Sequence, residues 1–213
     1  MYEIRKMMKN YKTLTNRKYR IATNIVIPVA SAVIICLLAG VSENLYGLAL
    51  LILSFVQMAE IMGDYFGFGS FCKKNSFGMY FLKSSYDGIH CFEDALLLDI
   101  LVRPFRIAVF FMIAGLPFIG TLMDGWMLFS IIACFSAFSI ASLNVTRYID
   151  MAQCVVLVSG IFLALMAGSV AVLFLCRIPA GAMAAMMAAL LLLTIVLTYF
   201  HMLVRIRKSY LDI

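Results

Sequence analysis

Charged side chains are scarce in this chain of 213 residues, where Asp, Glu, Lys and Arg make up 13% of the composition and histidine occurs twice. The sequence shows no Ser-His-Asp set, no metal-ligand box and no carboxylate pair at glycosidase spacing, so it gives little support for an enzyme. The Gly-rich segment 63–70 is not followed by Gly-Lys-Ser/Thr and is therefore not a Walker A loop. We expect no catalytic site and no ATP site in this chain.

Cysteine is present but is not arranged for disulfides or for metal. Most of the cysteines fall in apolar stretches or beside basic connections, so no disulfide framework is expected. The six are Cys36, Cys72, Cys91, Cys134, Cys154 and Cys176. His90 and Cys91 with Cys72 match no zinc spacing and lack a fourth ligand. We expect no bound metal or other cofactor and interpret the cysteines as small packing residues.

What the chain has in abundance is apolar sequence, with 64% hydrophobic residues. Six apolar stretches occur, at residues 23–41, 45–63, 104–123, 126–145, 151–175 and 180–204. Each is near the ~20 residues that a helix needs to cross about 30 Å of hydrocarbon, and helices satisfy backbone polar groups there. The sequence therefore predicts an all-α polytopic membrane protein, with one six-helix transmembrane domain over residues 23–213.

The basic residues are distributed asymmetrically along this pattern. Of the 17 Lys and Arg residues, all but Arg177 lie in alternate connections. The positive-inside rule then places both termini in the cytoplasm. The net charge of +6 does not indicate nucleic-acid binding, because basic residues beside spans follow from topology and from anionic lipid.

Residues 1–22 have the pattern of an amphipathic helix. Ile4, Met7, Met8 and Tyr11 recur at spacings of three and four, with Arg and Lys between them. Such a helix is suited to lie in the cytoplasmic interface of the lipid bilayer. A disordered basic tail is the alternative.

The connection between the second and third stretches is much longer than the others. Its later part predicts a helix from residue 77, a break at residues 84–88, and a helix from about Ile89 that continues into the third stretch. On that helix Asp99 and Arg103 stand four apart and can pair on one face. Arg106 is expected to extend back toward the cytoplasm. A long connection in a chain whose other connections are short indicates a function.

Two further sets of residues are candidates for a role in the membrane. Gln57, Glu60 and Asp64 lie at the cytoplasmic end of the second stretch, where they are either pathway or gating residues or ordinary interfacial groups. Small residues recur every four positions in the last two stretches and predict helix-packing seams, within the subunit or between subunits. They are Gly160, Ala164, Gly168, Gly181, Ala185 and Ala189.

The order of these features resembles the membrane permease subunit of ABC-2-type ATP-driven exporters. The local carriers of the resemblance are Phe81-Leu82-Lys83-Ser84-Ser85 and the segment 92–98, which stand where the family has its coupling helix. Between them this chain has Tyr86-Asp87-Gly88-Ile89, whereas family members often carry a turn like Pro-Val-Ser-Arg. The small size is similar to that of compact bacterial exporters of phenol-soluble modulins or of antimicrobial peptides.

The resemblance implies a partner and a stoichiometry. A separate cytoplasmic ATPase subunit would hold ATP and Mg²⁺, and two permeases would assemble with two ATPases in the bacterial cell membrane. The coupling region would span residues 77–98. Its docking residues would be Ser84, Ser85, Tyr86, Asp87, Gly88, Ile89, His90, Cys91 and Glu93, of which Asp87, His90 and Glu93 are expected to face solvent.

The cargo implied by the resemblance is a hydrophobic or amphipathic molecule, such as a short cytolytic or antimicrobial peptide. Two other functions remain open from the sequence. One is the substrate-binding membrane component of an energy-coupling-factor vitamin importer. The other is a proton-coupled carrier that uses Glu60 and Asp64.

Overall fold

The computed structural model describes residues 2–15, 17–41, 52, 56, 77–115, 124–146, 153, 156, 160 and 179–211. Its helices are α1 (Tyr2–Leu14), α2 (Arg17–Ile21), a π-helical turn (Ala22–Val26), α3 (Ile27–Val41), α4 (Phe77–Ser84), α5 (Gly88–Gly115), α6 (Gly125–Thr146) and α7 (Ala180–Leu211). No strand occurs within these ranges, and the predicted all-α class is confirmed.

Two of the described helices are long and apolar enough to cross a membrane, over Gly125–Asn144 and Ala180–Lys208. A shorter apolar helix covers Ala22–Leu38. The third predicted span belongs to α5, which begins well before it and carries three buried charged residues, Asp99, Arg103 and Arg106. The other predicted spans fall largely outside the described residues, so the total of six stays a prediction.

The break between α4 and α5 lies where the sequence predicts it. Ser85 N donates to Leu82 O at 3.3 Å, and the Ser85 hydroxyl donates to the same carbonyl at 3.0 Å. Gly88 N then donates to Ser85 O at 3.3 Å as α5 begins. A Cβ at Gly88 would collide with the Leu82 carbonyl, whose carbon would lie 2.9 Å away. Glycine is therefore required by the close return of the chain. We call the turn Ser85–Asp87 the elbow.

α5 continues through Pro104 as one helix of 28 residues. It passes through two apolar cores. The elbow-end cluster contains Tyr11, Leu14, Leu82, Phe92, Ala95, Leu96, Ile100, Ile140, Leu143, Met202 and Ile206. The distal cluster contains Ala32, Ile35, Val56, Ile107, Phe110, Phe111, Ala114 and Leu128. Because the elbow-end cluster draws on α1, α4 and the last turns of α6 and α7, these segments meet at one end of the molecule.

Helix α1 packs on protein to a greater extent than its sequence pattern indicates. Tyr11 and Leu14 are buried in the elbow-end cluster, whereas Met8 is exposed. The helix ends where Thr15 N and the Thr15 hydroxyl both donate to Tyr11 O, at 3.0 and 2.5 Å. The expected apolar face is thus only partly right, since its centre is shifted toward Leu14 and covered by other helices.

Candidate functional site

The elbow carries several exposed side chains. Tyr86 is fully exposed at the tip, and Asp87 and His90 are also exposed. On α4, Tyr80 and Phe81 face outward while Leu82 is buried beneath them. Aromatic side chains supply large contact area at protein interfaces and also at the surface of membranes. The elbow and α4 therefore form an aromatic surface with an acidic tip.

Helix α5 rises from this surface with two adjacent carboxylates near its start. Arg207 Nε of α7 donates to Glu93 Oε1 at 2.7 Å, and His90 Nδ1 lies 3.4 Å from Glu93 Oε2. The Glu93 side chain is only 12% exposed. The expectation that Glu93 faces solvent is therefore wrong, because its carboxylate turns toward the last helix. Asp87 and His90 do face solvent, as expected.

The second carboxylate, that of Asp94, contacts α1. Asn10 Nδ2 of α1 donates to Asp94 Oδ2 at 3.0 Å. Successive residues of a helix point about 100° apart, so Glu93 and Asp94 reach different neighbours. The start of α5 is in this way joined to both α1 and α7. We call the Glu93–Arg207 and Asn10–Asp94 contacts the clasp.

Further along α5, the predicted pair of Asp99 and Arg103 is confirmed. Arg103 Nε and Nη2 both lie 3.1 Å from Asp99 Oδ2, and the two side chains are 1% and 3% exposed for Arg103 and Asp99 respectively. A charge inside a protein needs a partner of this kind.

Arg106 lies one turn beyond Arg103, and its expected extension toward the cytoplasm stays a prediction. It is buried, and its Nη1 donates to Asn24 Oδ1 in the π-helical turn before α3. A π turn changes the register of the helix that contains it, and here it coincides with a polar contact to α5.

A polar contact between α6 and α7 was not predicted. Asn144 Nδ2 donates to Thr198 Oγ1 at 3.0 Å, and its Oδ1 lies 2.9 Å from His201 Nδ1. Thr198 is buried, and His201 follows it by three residues on α7. Polar side chains at matching levels of two apolar helices were the available signal.

The thiol of Cys91 at the start of α5 is half-buried. Burial and the neighbouring carboxylates of Asp94 and Asp87 raise the pKa of Cys91, against a smaller opposing effect of Lys6. A thiol in that environment is a poor nucleophile. In the described part of the chain, no group of three His, Cys, Asp or Glu side chains is placed to hold a metal ion.

The remaining predicted sites have mixed outcomes. Gly181, Ala185 and Ala189 are all exposed on α7, so they form no buried seam with the described helices. A Cβ at Gly160 or Gly181 would meet no atom within 4 Å. A seam between subunits stays a prediction. Gln57, Glu60, Asp64, Ala164 and Gly168 lie outside the described residues.

No protein-family model, curated protein or solved structure matches this chain. Its own residues and contacts are therefore the basis for a functional assignment. They form an exposed aromatic turn before a long helix, and the first turns of that helix are hydrogen-bonded to α1 and α7.

Proposed function

We propose that this chain is the membrane permease subunit of an ATP-driven ABC exporter, and that its elbow docks on a separate cytoplasmic ATPase. The observation that carries the proposal is the form of α5: exposed at the elbow, anchored in the elbow-end cluster, and continuous into the distal cluster. At 1.5 Å per residue, its 28 residues span about 40 Å. A displacement of the elbow would therefore move side chains in both cores.

The composition of the elbow surface supports docking to a protein. Tyr80, Phe81 and Tyr86 are exposed together, and an anchor of this type is a common centre of a binding interface. The sequence has no Walker A loop of its own, so a pump built from this chain must obtain its energy from a partner. Rigid-body movement driven by that partner is the mechanism we propose.

The full assembly has six spans per chain, both termini in the cytoplasm, and two permeases with two ATPases in a bacterial cell membrane. α1, the elbow and the end of α7 meet at one end of the molecule. This supports placing both termini on the same side of the membrane. The cargo is a hydrophobic or amphipathic molecule, and short peptides are the class that the family resemblance implies.

The experiment that tests this function is purification of the tagged chain from its native membrane, followed by ATP hydrolysis measurements in lipid nanodiscs. We expect ATPase activity to co-purify and to fall when Tyr86→Ala and Asp87→Ala are combined. The matched control is Trp126→Ala, which removes an exposed aromatic residue at the start of α6, near the distal cluster. Equal ATPase activity in all three samples would contradict elbow docking.

Transport by the isolated chain provides the second test. Uptake driven by an imposed pH gradient in liposomes, with no ATPase present, would contradict the exporter and support the proton-coupled carrier. Tight vitamin binding by the isolated chain would instead support the importer component.

A further inference from the structure

We propose that Glu93 and Asp94 are positioning residues, and that the clasp fixes the direction in which the elbow is presented to the ATPase. This inference rests on the proposed function, because it concerns how the docking site is oriented. Neither carboxylate touches the partner in this scheme. Each acts through a contact to another helix of the same chain.

The directions of the two contacts explain why both are needed. Glu93 is bonded to Arg207 on α7, and Asp94 is bonded to Asn10 on α1. Because the two side chains leave α5 about 100° apart, each contact opposes a different direction of tilt. Leu96, in the next turn, packs in the elbow-end cluster that also includes residues of α6. The first turns of α5 are thus held from three sides.

The clasp lies at the edge of an apolar core, which limits competition from water. Phe92 and Ala95 flank the two carboxylates in sequence and are both fully buried. The Glu93 side chain is 12% exposed, whereas its partner Arg207 is 57% exposed. A hydrogen-bonded carboxylate in such a position is held more firmly than one on an open surface, where ion pairs contribute little.

The residues joined by the clasp are distant in sequence. Asn10 and Asp94 are 84 positions apart, and Glu93 and Arg207 are 114 positions apart. The elbow is therefore tied to both ends of the described chain, beside the last turns of a helix that is long enough to cross the membrane. Movement imposed on the elbow would be passed to α1 and α7 as well as along α5. Loss of the clasp would let the elbow move without them.

The test compares clasp variants with variants of exposed neighbours on the same helices, in the purified permease–ATPase complex. The clasp variants are Arg207→Gln and Asn10→Ala. The controls are Lys208→Gln and Lys9→Gln, which change exposed residues of the same helices that take no part in the clasp. The first readout is hydrogen–deuterium exchange of the amides of residues 85–96. We expect several-fold faster exchange in the clasp variants and wild-type exchange in the controls.

The second readout is the amount of substrate transported per ATP hydrolysed, with a short amphipathic peptide as the probe. We expect this ratio to fall at least threefold in Arg207→Gln, to recover in part in Arg207→Lys, and to stay unchanged in Lys208→Gln. A merely structural contact would lower the amount of folded protein without changing the ratio. The paired reversal Glu93→Lys with Arg207→Glu is expected to restore slow exchange.

Four results separate the possible failures. Unchanged exchange in both clasp variants would overturn the inference, as would equal effects of the clasp and control variants. Faster exchange with an unchanged transport ratio would also overturn it, because the clasp would then have no role in presenting the elbow. Faster exchange in the clasp variants, when the wild-type chain co-purifies with no ATPase activity, would support the clasp as a contact and contradict the proposed function instead.

Discussion

The two halves of α5 are held by different kinds of interaction. The elbow half, up to Arg106, combines apolar packing with the clasp, the Asp99–Arg103 pair and the contact of Arg106 with Asn24. The distal half packs through Ile107, Phe110 and Phe111, with an edge-to-face contact between the two rings at 5.1 Å. Its other face is open, where Val109 and Met112 are exposed.

This difference indicates which half of α5 can fix the orientation of the helix. Apolar packing in a membrane competes with lipid tails that are equally apolar, so it tolerates sliding and rotation of a helix. Hydrogen bonds and ion pairs have defined directions, so they fix both the position of a helix along its axis and its rotation. We infer that the orientation of α5 is set at the elbow end, and that the distal half follows it.

The largest loss of stability is expected when one charge is removed from the buried pair. Asp99→Ala deletes the carboxylate to which Arg103 donates twice, and loss of one member of a buried pair costs about 3–5 kcal/mol. Thermal unfolding in detergent is expected to shift strongly downward. The double variant Asp99→Leu with Arg103→Met should recover most of the loss. A double variant no more stable than Asp99→Ala would contradict this explanation.

Truncating the apolar core on the elbow side is expected to have the next largest effect. Leu96 is fully buried, and Leu96→Ala should cost about 3 kcal/mol through lost contacts and a residual cavity. Its matched control is Leu192→Ala on the exposed face of α7, for which we expect little change. Denaturant titration of both variants measures the difference. Similar losses at the two positions would show that α7 is covered at Leu192.

A single added methyl group at Gly88 is expected to disrupt the elbow. In Gly88→Ala the new Cβ meets the Leu82 carbonyl, and a forced shift of backbone costs about 1–3 kcal/mol. Limited proteolysis between α4 and α5 is expected to become faster. Gly125→Ala is the control, because a Cβ there meets nothing within 4 Å. Equal protection of both variants would mean that the turn adapts freely.

The contact between α6 and α7 should contribute least to stability. Hydrogen bonds between membrane helices average about 0.6 kcal/mol, so Asn144→Ala, which removes two, is expected to cost about 1 kcal/mol. Thr194→Val removes only a bond to Leu190 O within α7 and serves as the control. A double-mutant cycle of Asn144 with Thr198 measures the coupling. A coupling energy of zero would show that the two side chains do not interact in the membrane.

Features with a local cause could be predicted from the sequence. The break before Gly88 and the Asp99–Arg103 pair depend on residues three or four positions apart, and helical geometry fixes such neighbours. The clasp depends on the level at which helices far apart in sequence meet, and residue spacing carries no information about that level. Acidic residues at the start of α5 and basic residues at the end of α7 were the only signal for it.

Amphipathic and small-residue patterns were less decisive, for a related reason. A periodic pattern shows that a helix has an apolar face but does not show what covers it. Protein covers Tyr11 and Leu14 on α1, whereas Gly181 and Ala185 on α7 are exposed in the described structure. The contact between Arg106 and Asn24 was not predicted, because the π turn that presents Asn24 has no reliable sequence signal.

The smallest effect concerns the chemistry of the thiol beside the elbow, and it compares the elbow tip with the first turn of α5. In a variant whose only cysteine is Cys91, maleimide labelling is expected to be several times slower than in a cysteine-free background carrying Tyr86→Cys. The side chain at position 86 is fully exposed, whereas burial and the charges of Asp94 and Asp87 raise the pKa of Cys91. A raised pKa leaves less thiolate at neutral pH, so labelling of Cys91 should accelerate as pH rises.

Asp87→Asn tests the electrostatic part of this effect, because it removes one of the negative charges near the thiol. The pKa of Cys91 should then fall, and labelling at fixed pH should become faster while exposure of the thiol stays the same. Lys6→Gln should have the opposite sign, because its positive charge favours the thiolate. Equal rates at positions 86 and 91 would show that the first turn of α5 opens to solvent, and the contrast between a free tip and a held helix would then be lost.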